Sequence, residues 1–237
     1  MRVSLFIPCL VDQFYPETGM AMLAVLRRLE IDVEYNPAQT CCGQPAMNTG
    51  YRHEAREVAE RWLKIFDRSE YIVGPSGSCV SMVRNLFAEL WPEGMPDDYR
   101  QLCERTYEFT EFLVHKAQIV DVGARFGHKV TYHDSCHLLR ELKIKEEPRL
   151  LLRKVKGLEL IEMNESDTCC GFGGTFAVKY PDISTEMVDR KVDNILKAGV
   201  DYVAANDSSC LMQIDGYMRR KKSKVKSIHI AEILARR

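Results

Sequence analysis

The sequence predicts an α/β protein made of two pseudo-symmetric repeats with parallel sheets, and three observations carry that expectation. The cysteines repeat: Cys9, Cys41-Cys42-Gly43 and Cys79 are matched by Cys136, Cys169-Cys170-Gly171 and Cys210. The gap before the vicinal pair is 32 residues in one series and 33 in the other, and the gap after it is 37 against 40. Short, β-branched apolar runs lead into the single cysteines, the pattern of strands buried on both faces. Amphipathic stretches with helical spacing separate those runs, and strand–helix–strand alternation builds parallel, Rossmann-like units.

Taken in order, Val3 to Ile7 is the first strand, running into Pro8-Cys9, and its counterpart is Lys129 to Asp134, running into Ser135-Cys136. Gly19 to Leu29 has helical periodicity. Ile31 to Tyr35 and Leu158 to Ile161 read as second strands, each followed by a loop and Thr-Cys-Cys-Gly. Glu54 to Phe66 places Val58, Ala59, Trp62, Leu63 and Phe66 on one helical face, and Ile183 to Lys197 does the same with Met187, Val188, Val192, Ile195 and Leu196. Tyr71-Ile72-Val73 and Tyr202-Val203-Ala204 are third strands, leading into Ser78-Cys79 and Ser209-Cys210. Each repeat closes on a similar signature, Thr110 to Leu113 and Ala231 to Leu234. Pro92 to Asp98 is a surface insertion confined to the first repeat, and Gly123 to Gly127 is the junction, giving a first Cys-Cys-Gly repeat over 1–122 and a second over 123–237.

Bulk composition narrows the classes. A chain of 237 residues with 46% hydrophobic and 28% charged residues is ordinary for a globular protein. A net charge of -1 gives no field that would draw nucleic acid or an acidic membrane surface. Apolar runs such as Met20 to Leu26 are far shorter than the ~20 residues that span a bilayer, so no transmembrane segment is expected. The N-terminus lacks a small-residue cleavage site and meets Asp12 early, which places the chain in the cytoplasm. Nine cysteines in a reducing compartment point to metal ligation or redox chemistry rather than disulfides.

In parallel α/β units, ligands gather where strands end and helices begin. Cys9, Cys79, Cys136 and Cys210 lie just past their strands, on that edge, and the Cys-Cys-Gly loops follow the second strands to the same edge. Unpaired N–H groups at helix N-termini favour thiolate, the form that binds metal. Four close thiolates would repel one another without a cation or cluster among them. Thiolate tetrads suit both zinc and iron–sulfur clusters. Structural zinc sites usually carry two close C-x-x-C pairs, whereas these ligating segments lie more than 30 residues apart, which favours a cluster.

The pattern resembles the lactate-utilisation protein A family of cysteine-rich, Cys-Cys-Gly domain proteins, related to the B subunit of heterodisulfide reductase and the F subunit of glycolate oxidase. The stretches that carry it are Cys41-Cys42-Gly43-Gln44-Pro45-Ala46, Pro75 to Cys79, Tyr132 to Leu138 and Thr168 to Gly174, and it spans essentially the whole chain. The resemblance implies an electron-transferring iron–sulfur subunit of a multi-component system that oxidises L-lactate to pyruvate. Such a subunit would act with a ferredoxin-like iron–sulfur subunit and a further subunit, and not alone. One centre would be held by Cys9, Cys41, Cys42 and Cys79, and the other by Cys136, Cys169, Cys170 and Cys210. The chain departs from the family pattern at the end of each repeat, where Ser76 and Asp207 replace the first member of a C-x-x-C pair. Four cysteines cannot reproduce the five-thiolate site of the heterodisulfide reductase relatives. An ordinary 4Fe-4S cluster per repeat is therefore expected, with zinc as the alternative. A relay for glycolate or a disulfide substrate, or a zinc-stabilised scaffold, are the rival readings.

Other residues are weighed beside these. His133 and His137 flank Cys136 and have no histidine counterpart in the first repeat, so a hydrogen bond to a cluster sulfur competes with a capping role. Asp207 and Ser76 precede helices, where both residue types commonly serve as N-caps. Gly43, Gly171 and the Gly173-Gly174 pair would let backbone N–H groups approach cluster sulfides. Gly171-Phe172-Gly173-Gly174 lacks the spacing and the Lys-Ser/Thr of a phosphate loop. The basic run Arg219 to Lys222, with Lys224 and Lys226, reads as a solvated helix terminus, and Cys103 as an inert helical cysteine.

Overall fold

The computed structural model describes residues 1–237. In the first half the order is β1 (Arg2–Leu5), α1 (Cys9–Phe14), α2 (Pro16–Arg28), β2 (Asp32–Glu34), α3 (Gln44–Asn48), α4 (Arg52–Phe66), β3 (Tyr71–Gly74) and α5 (Gly77–Ser81). Helical turns then lead to α6 (Asp97–Glu104), β4 (Thr106–Glu108) and α7 (Phe109–Glu111), which runs on as a π-helical turn over Phe112–Lys116. The second half follows with β5 (Lys129–Tyr132), a π-helical turn over His137–Glu141, α8 (Glu146–Lys154), β6 (Glu159–Leu160), α9 (Thr175–Lys179) and α10 (Pro181–Lys197). It ends with β7 (Tyr202–Ala205), α11 (Ser208–Arg220), β8 (Lys226–His229) and α12 (Ile230–Ala235).

Both sheets are four-stranded and wholly parallel, in the orders β2-β1-β3-β4 and β6-β5-β7-β8. The registers superpose the repeats residue by residue: Val3 pairs with Tyr71 as Val130 pairs with Tyr202. Phe6 and His133 therefore occupy equivalent positions, as their N–H groups confirm by donating to the carbonyls of Val73 (2.9 Å) and Ala204 (2.8 Å).

The fourth strand of each sheet lies outside the sequence expectation. β4 and β8 are short and carry Glu108, Lys226 and His229, so neither presents an apolar run. Lys226 accordingly belongs to an edge strand and not to the basic helix end, which stops at Arg220. Charge on an edge strand discourages further pairing.

Period-two alternation divides each sheet into two faces. Val3, Leu5, Val130, Tyr132 and Ala204 turn inward, into an apolar cluster of 24 buried residues drawn from both halves. The opposite face of the first sheet packs on α4 and α6 through Phe6, Ile72, Trp62, Phe66 and Phe87, and that of the second packs on α10 and α11 through Val203, Val192, Ile195 and Ile214.

The halves exchange their closing helices. α12 packs on α2 of the first half, and α7 packs on α8 of the second. The α2 side chain of Arg28 donates to the last α12 carbonyls, at Leu234 (3.1 Å) and Ala235 (2.5 Å), a cation placed where the helix dipole is negative. Thr18 donates to Glu232 at 3.0 Å. The loops that follow the first and third strands are brought face to face by this exchange.

Candidate functional site

In each sheet the order reverses between its first and third strands, β1/β3 and β5/β7, so the connections from those strands part in opposite directions and leave a crevice at the carboxyl edge. Cys9 opens α1 and Cys79 lies in α5, both above the first crevice; Cys136 and Cys210 stand in the same places above the second. The Cys-Cys-Gly loops reach in from the side. Gly43 (φ 84°) and Gly171 (φ 83°) adopt a left-handed conformation that directs their N–H groups back onto the sulfurs of Cys41 (3.3 Å) and Cys169 (3.4 Å). A Cβ on Gly171 would fall 2.6 Å from the Ser184 carbonyl oxygen, so the loop sits directly on α10.

All eight expected cysteines line a single cavity of about 260 Å3, together with Gln44, Ser76, Ser78, His137 and Asp207. The two sets thus face each other across the boundary between the halves. α5 packs against the His137–Glu141 turn so closely that a Cβ on Gly77 would lie 2.7 Å from that of Leu138. Cys103 is buried beside Leu102 and outside the cavity, and burial pushes its thiol up to about 12.

Within each set the thiols are linked in a chain. Cys9 and Cys41 lie 3.7 Å apart, sulfur to sulfur. Hydrogen bonds from Cys42 and Cys9 hold Cys41 down to about 3, while the proton it borrows pushes Cys9 and Cys42 up. The second set repeats the pattern: hydrogen bonds from Cys136 and Cys170 lower Cys169 to about 2, and Cys136 and Cys170 are raised. Cys210 is lowered to about 6, first by a hydrogen bond from Cys170 and then by His133. Cys41 in the first set, and Cys169 and Cys210 in the second, are stabilised as thiolates at the others' expense, the behaviour of ligands that need a cation to ionise together.

One group of three potential ligand atoms lies mutually within 4.8 Å, that of His133, Cys170 and Cys210. His133 is fully buried, and neither ring nitrogen has a hydrogen-bond partner. His137 lies nearer the cavity mouth, its Nδ1 3.6 Å from the Cys136 sulfur and its Nε2 3.4 Å from the Gln44 amide.

Ser76 and Asp207 hold equivalent positions before α5 and α11, and they meet. Ser76 caps its own helix, accepting from the Cys79 N–H at 3.4 Å. Asp207, expected to cap α11, does not: its Oδ1 turns across the boundary and accepts from Ser76 Oγ (2.9 Å), Ser78 N (3.1 Å) and Ser78 Oγ (2.7 Å). The closeness of the halves lets the carboxylate reach the N-terminus of α5, where N–H groups favour negative charge. Its Oδ2 is buried and unpartnered.

Several residues at the site were not singled out by sequence reasoning. Lys191, on α10, is fully buried and donates to the carbonyls of Glu165 and Ser166 (3.1 Å), which fixes the loop entering Cys169-Cys170. Arg149 clamps Asp134, two residues before Cys136, at 2.7 and 2.8 Å and bonds Glu162 as well. The available signal was position: Lys191 falls on the apolar face of its helix, where a charged residue is rarely buried without a purpose. Below the cavity, Tyr132 donates to Asn206 (2.8 Å), and Asn206 donates to Glu108 (2.9 Å) and Thr110 (3.0 Å), joining the halves.

Comparison with known proteins agrees with this two-part design. The cysteine-rich domain family named for the CCG motif matches twice, over residues 3–84 and 130–215. The chain is 45% identical over 240 residues to lactate utilization protein A of Macrococcus caseolyticus (strain JCSC5402), covering 99% of this chain and 96% of that protein. It is 44% identical over 236 residues to lactate utilization protein A of Bacillus subtilis (strain 168), covering 99% of each. Among solved structures, a hypothetical protein from Helicobacter pylori superposes with a TM-score of 0.65 at 9% identity, covering 98% of this chain and 48% of that one, a likeness of fold. No helix is long and apolar enough to cross a membrane. With two matched cysteine-rich domains and near-full-length relatives, the chain belongs to the lactate utilization protein A family of CCG-domain proteins.

Proposed function

We propose that the chain is the iron–sulfur electron-transfer subunit of a multi-component, cytoplasmic system that oxidises L-lactate to pyruvate. The observation that carries this reading is the convergence of eight thiols, four from each repeat, on one cavity at two equivalent sheet edges. Residues 1–122 would supply Cys9, Cys41, Cys42 and Cys79 to one centre, and residues 123–237 would supply Cys136, Cys169, Cys170 and Cys210 to the other. A cluster bound there would carry single electrons; the chain's own residues would hold, insulate and tune it. A ferredoxin-like iron–sulfur subunit and a further subunit would complete the system.

The placement of the ligating segments supports a cluster over a single ion: structural zinc sites usually carry two close C-x-x-C pairs, whereas in each repeat the cysteines come from three segments more than 30 residues apart. Gly43 and Gly171 leave N–H groups aimed at sulfur, donors that stabilise a negatively charged cluster. The relatives' names, lactate utilization protein A, support the assignment to lactate. A second reading has one observation in its favour: His133, Cys170 and Cys210 are close enough for a zinc ion in the second repeat alone.

Deletion of the gene is expected to abolish growth on L-lactate, with rescue by the wild type and not by Cys41→Ser or Cys169→Ser. Normal growth of the deletion strain on lactate would remove the substrate assignment.

A further inference from the structure

We infer that the two centres are electrostatically inequivalent, the C-terminal cysteine set holding the more oxidising one, with Lys191 and His133 as the residues that tune it. The inference rests on the iron–sulfur reading above and adds a direction to it. It begins from the strict equivalence of the repeats. The buried positions of α4 are Ala55, Ala59, Trp62, Leu63 and Phe66, and those of α10 are Ser184, Val188, Lys191, Val192 and Ile195. The anchors of the two glycines fix the same register, Gly43 over Ala55 and Val58, Gly171 over Ser184 and Met187. Trp62 and Lys191 are therefore counterparts, as are Phe6 and His133.

The floors beneath the two sets differ accordingly. Under the first, Phe6 packs edge-on against Trp62 (5.5 Å) and Phe66 (5.9 Å), an aromatic block that carries no formal charge and whose one unpartnered polar atom is Trp62 Nε1. Under the second lie an ammonium held among carbonyls and an imidazole with both nitrogens free beside Cys170 and Cys210. A cluster gains negative charge on reduction, so a buried cation and an N–H donor at sulfur favour the reduced state, and an apolar wall disfavours it. Asp134 adds no opposing charge, because Arg149 neutralises it. Asp207 does oppose, but its carboxylate already accepts three bonds from Ser76 and Ser78 of the other half. One-electron exchange between the centres then oxidises the N-terminal one and reduces the C-terminal one, with no bond made or broken.

The test is an EPR-monitored redox titration of the anaerobically purified full chain. Two midpoints are expected, with the higher one lost in Cys170→Ser and the lower one lost in Cys42→Ser. Lys191→Met should lower the higher midpoint by about 59 mV or more, a tenfold change in the one-electron equilibrium, and Lys191→Arg should restore it. His133→Phe should shift it the same way and leave the lower midpoint in place, whereas Asp207→Asn should raise both midpoints, because its carboxylate lies between the sets on Ser78, beside Cys79. Loss of the higher midpoint in Cys42→Ser, or no movement in Lys191→Met and His133→Phe, would overturn the inference while leaving the iron–sulfur reading intact. A chain that holds zinc and no sulfide would overturn both.

Discussion

The two halves share strand order, register and cysteine placement, yet one rests its cysteines on edge-packed aromatics and the other on buried polar and charged groups. The contrast teaches that the repeated backbone fixes where the sulfurs go, while the layer beneath them is free to diverge. Phe6, Trp62, Phe66 and Phe87 make the first half's floor a packing unit. In the second half, Lys191 and the Arg149–Asp134 pair replace packing with hydrogen bonds that hold the approach to Cys169-Cys170. A pair of buried ions contributes little net stability, and removing one partner is costly.

The largest difference is expected in the floors themselves. Trp62→Ala should destabilise the chain by ~3–5 kcal/mol, the range for truncating a buried aromatic. Lys191→Met should cost less, ~1–3 kcal/mol, because it leaves two carbonyls without their donor but keeps the volume. Equilibrium urea unfolding measures both; a larger loss at Lys191 would mean that the second half depends on its charges for folding.

The ends of the fourth strands sharpen the comparison with opposite pH slopes. Glu108 and His229 are counterparts, each capping the helix that crosses to the other half. Burial pushes Glu108 up to about 8 and pushes His229 down to about 4. His229 is held neutral by geometry as well, with Nδ1 accepting from Ala231 N (3.1 Å) and Nε2 donating to the Pro75 carbonyl (3.0 Å). Its unfolded form binds more protons between pH 6.5 and 4, so its contribution is present above 6.5 and lost as pH falls through that window. Glu108 binds more protons when folded between 4.5 and 8, so its contribution is present below 4.5 and lost as pH rises through that window. At 1.36 kcal/mol per pH unit, each slope is worth on the order of 3–5 kcal/mol across its range. Stability curves of His229→Asn and Glu108→Gln should each lose one slope and keep the other.

A smaller difference is expected at the loops. Gly43→Ala and Gly171→Ala both force a left-handed residue, worth about 1–2 kcal/mol. Gly171→Ala should cost roughly 1–2 kcal/mol more, because its Cβ meets the Ser184 carbonyl oxygen at 2.6 Å, where Gly43 has 3.3 Å to Ala55. Equal costs would show that α10 can yield where the packing says it cannot.

Much of this was legible in the sequence. The repeat, the first three strands of each sheet and the long helices follow from periodicity and from the spacing of Cys9, Cys41-Cys42 and Cys79 against their counterparts. Local patterns record apolar burial, and β4 and β8 bury polar groups instead, Thr106, Glu108 and His229, so neither strand announces itself. Nor do they record contacts made across a pseudo-symmetry axis. The reach of Asp207 to Ser76 and Ser78, and of His229 to Pro75, exists because closing helices are exchanged between halves. Lys191 could have been found by laying α10 on α4, where a lysine stands opposite a tryptophan.

The central claim, that each set of four cysteines holds its own cluster, is tested most directly by iron and acid-labile sulfide analysis of anaerobically purified protein. Wild type should carry about eight of each per chain, as two four-iron clusters require, and Cys42→Ser and Cys170→Ser about half that. Zinc without sulfide, or full iron content retained in both variants, would contradict it.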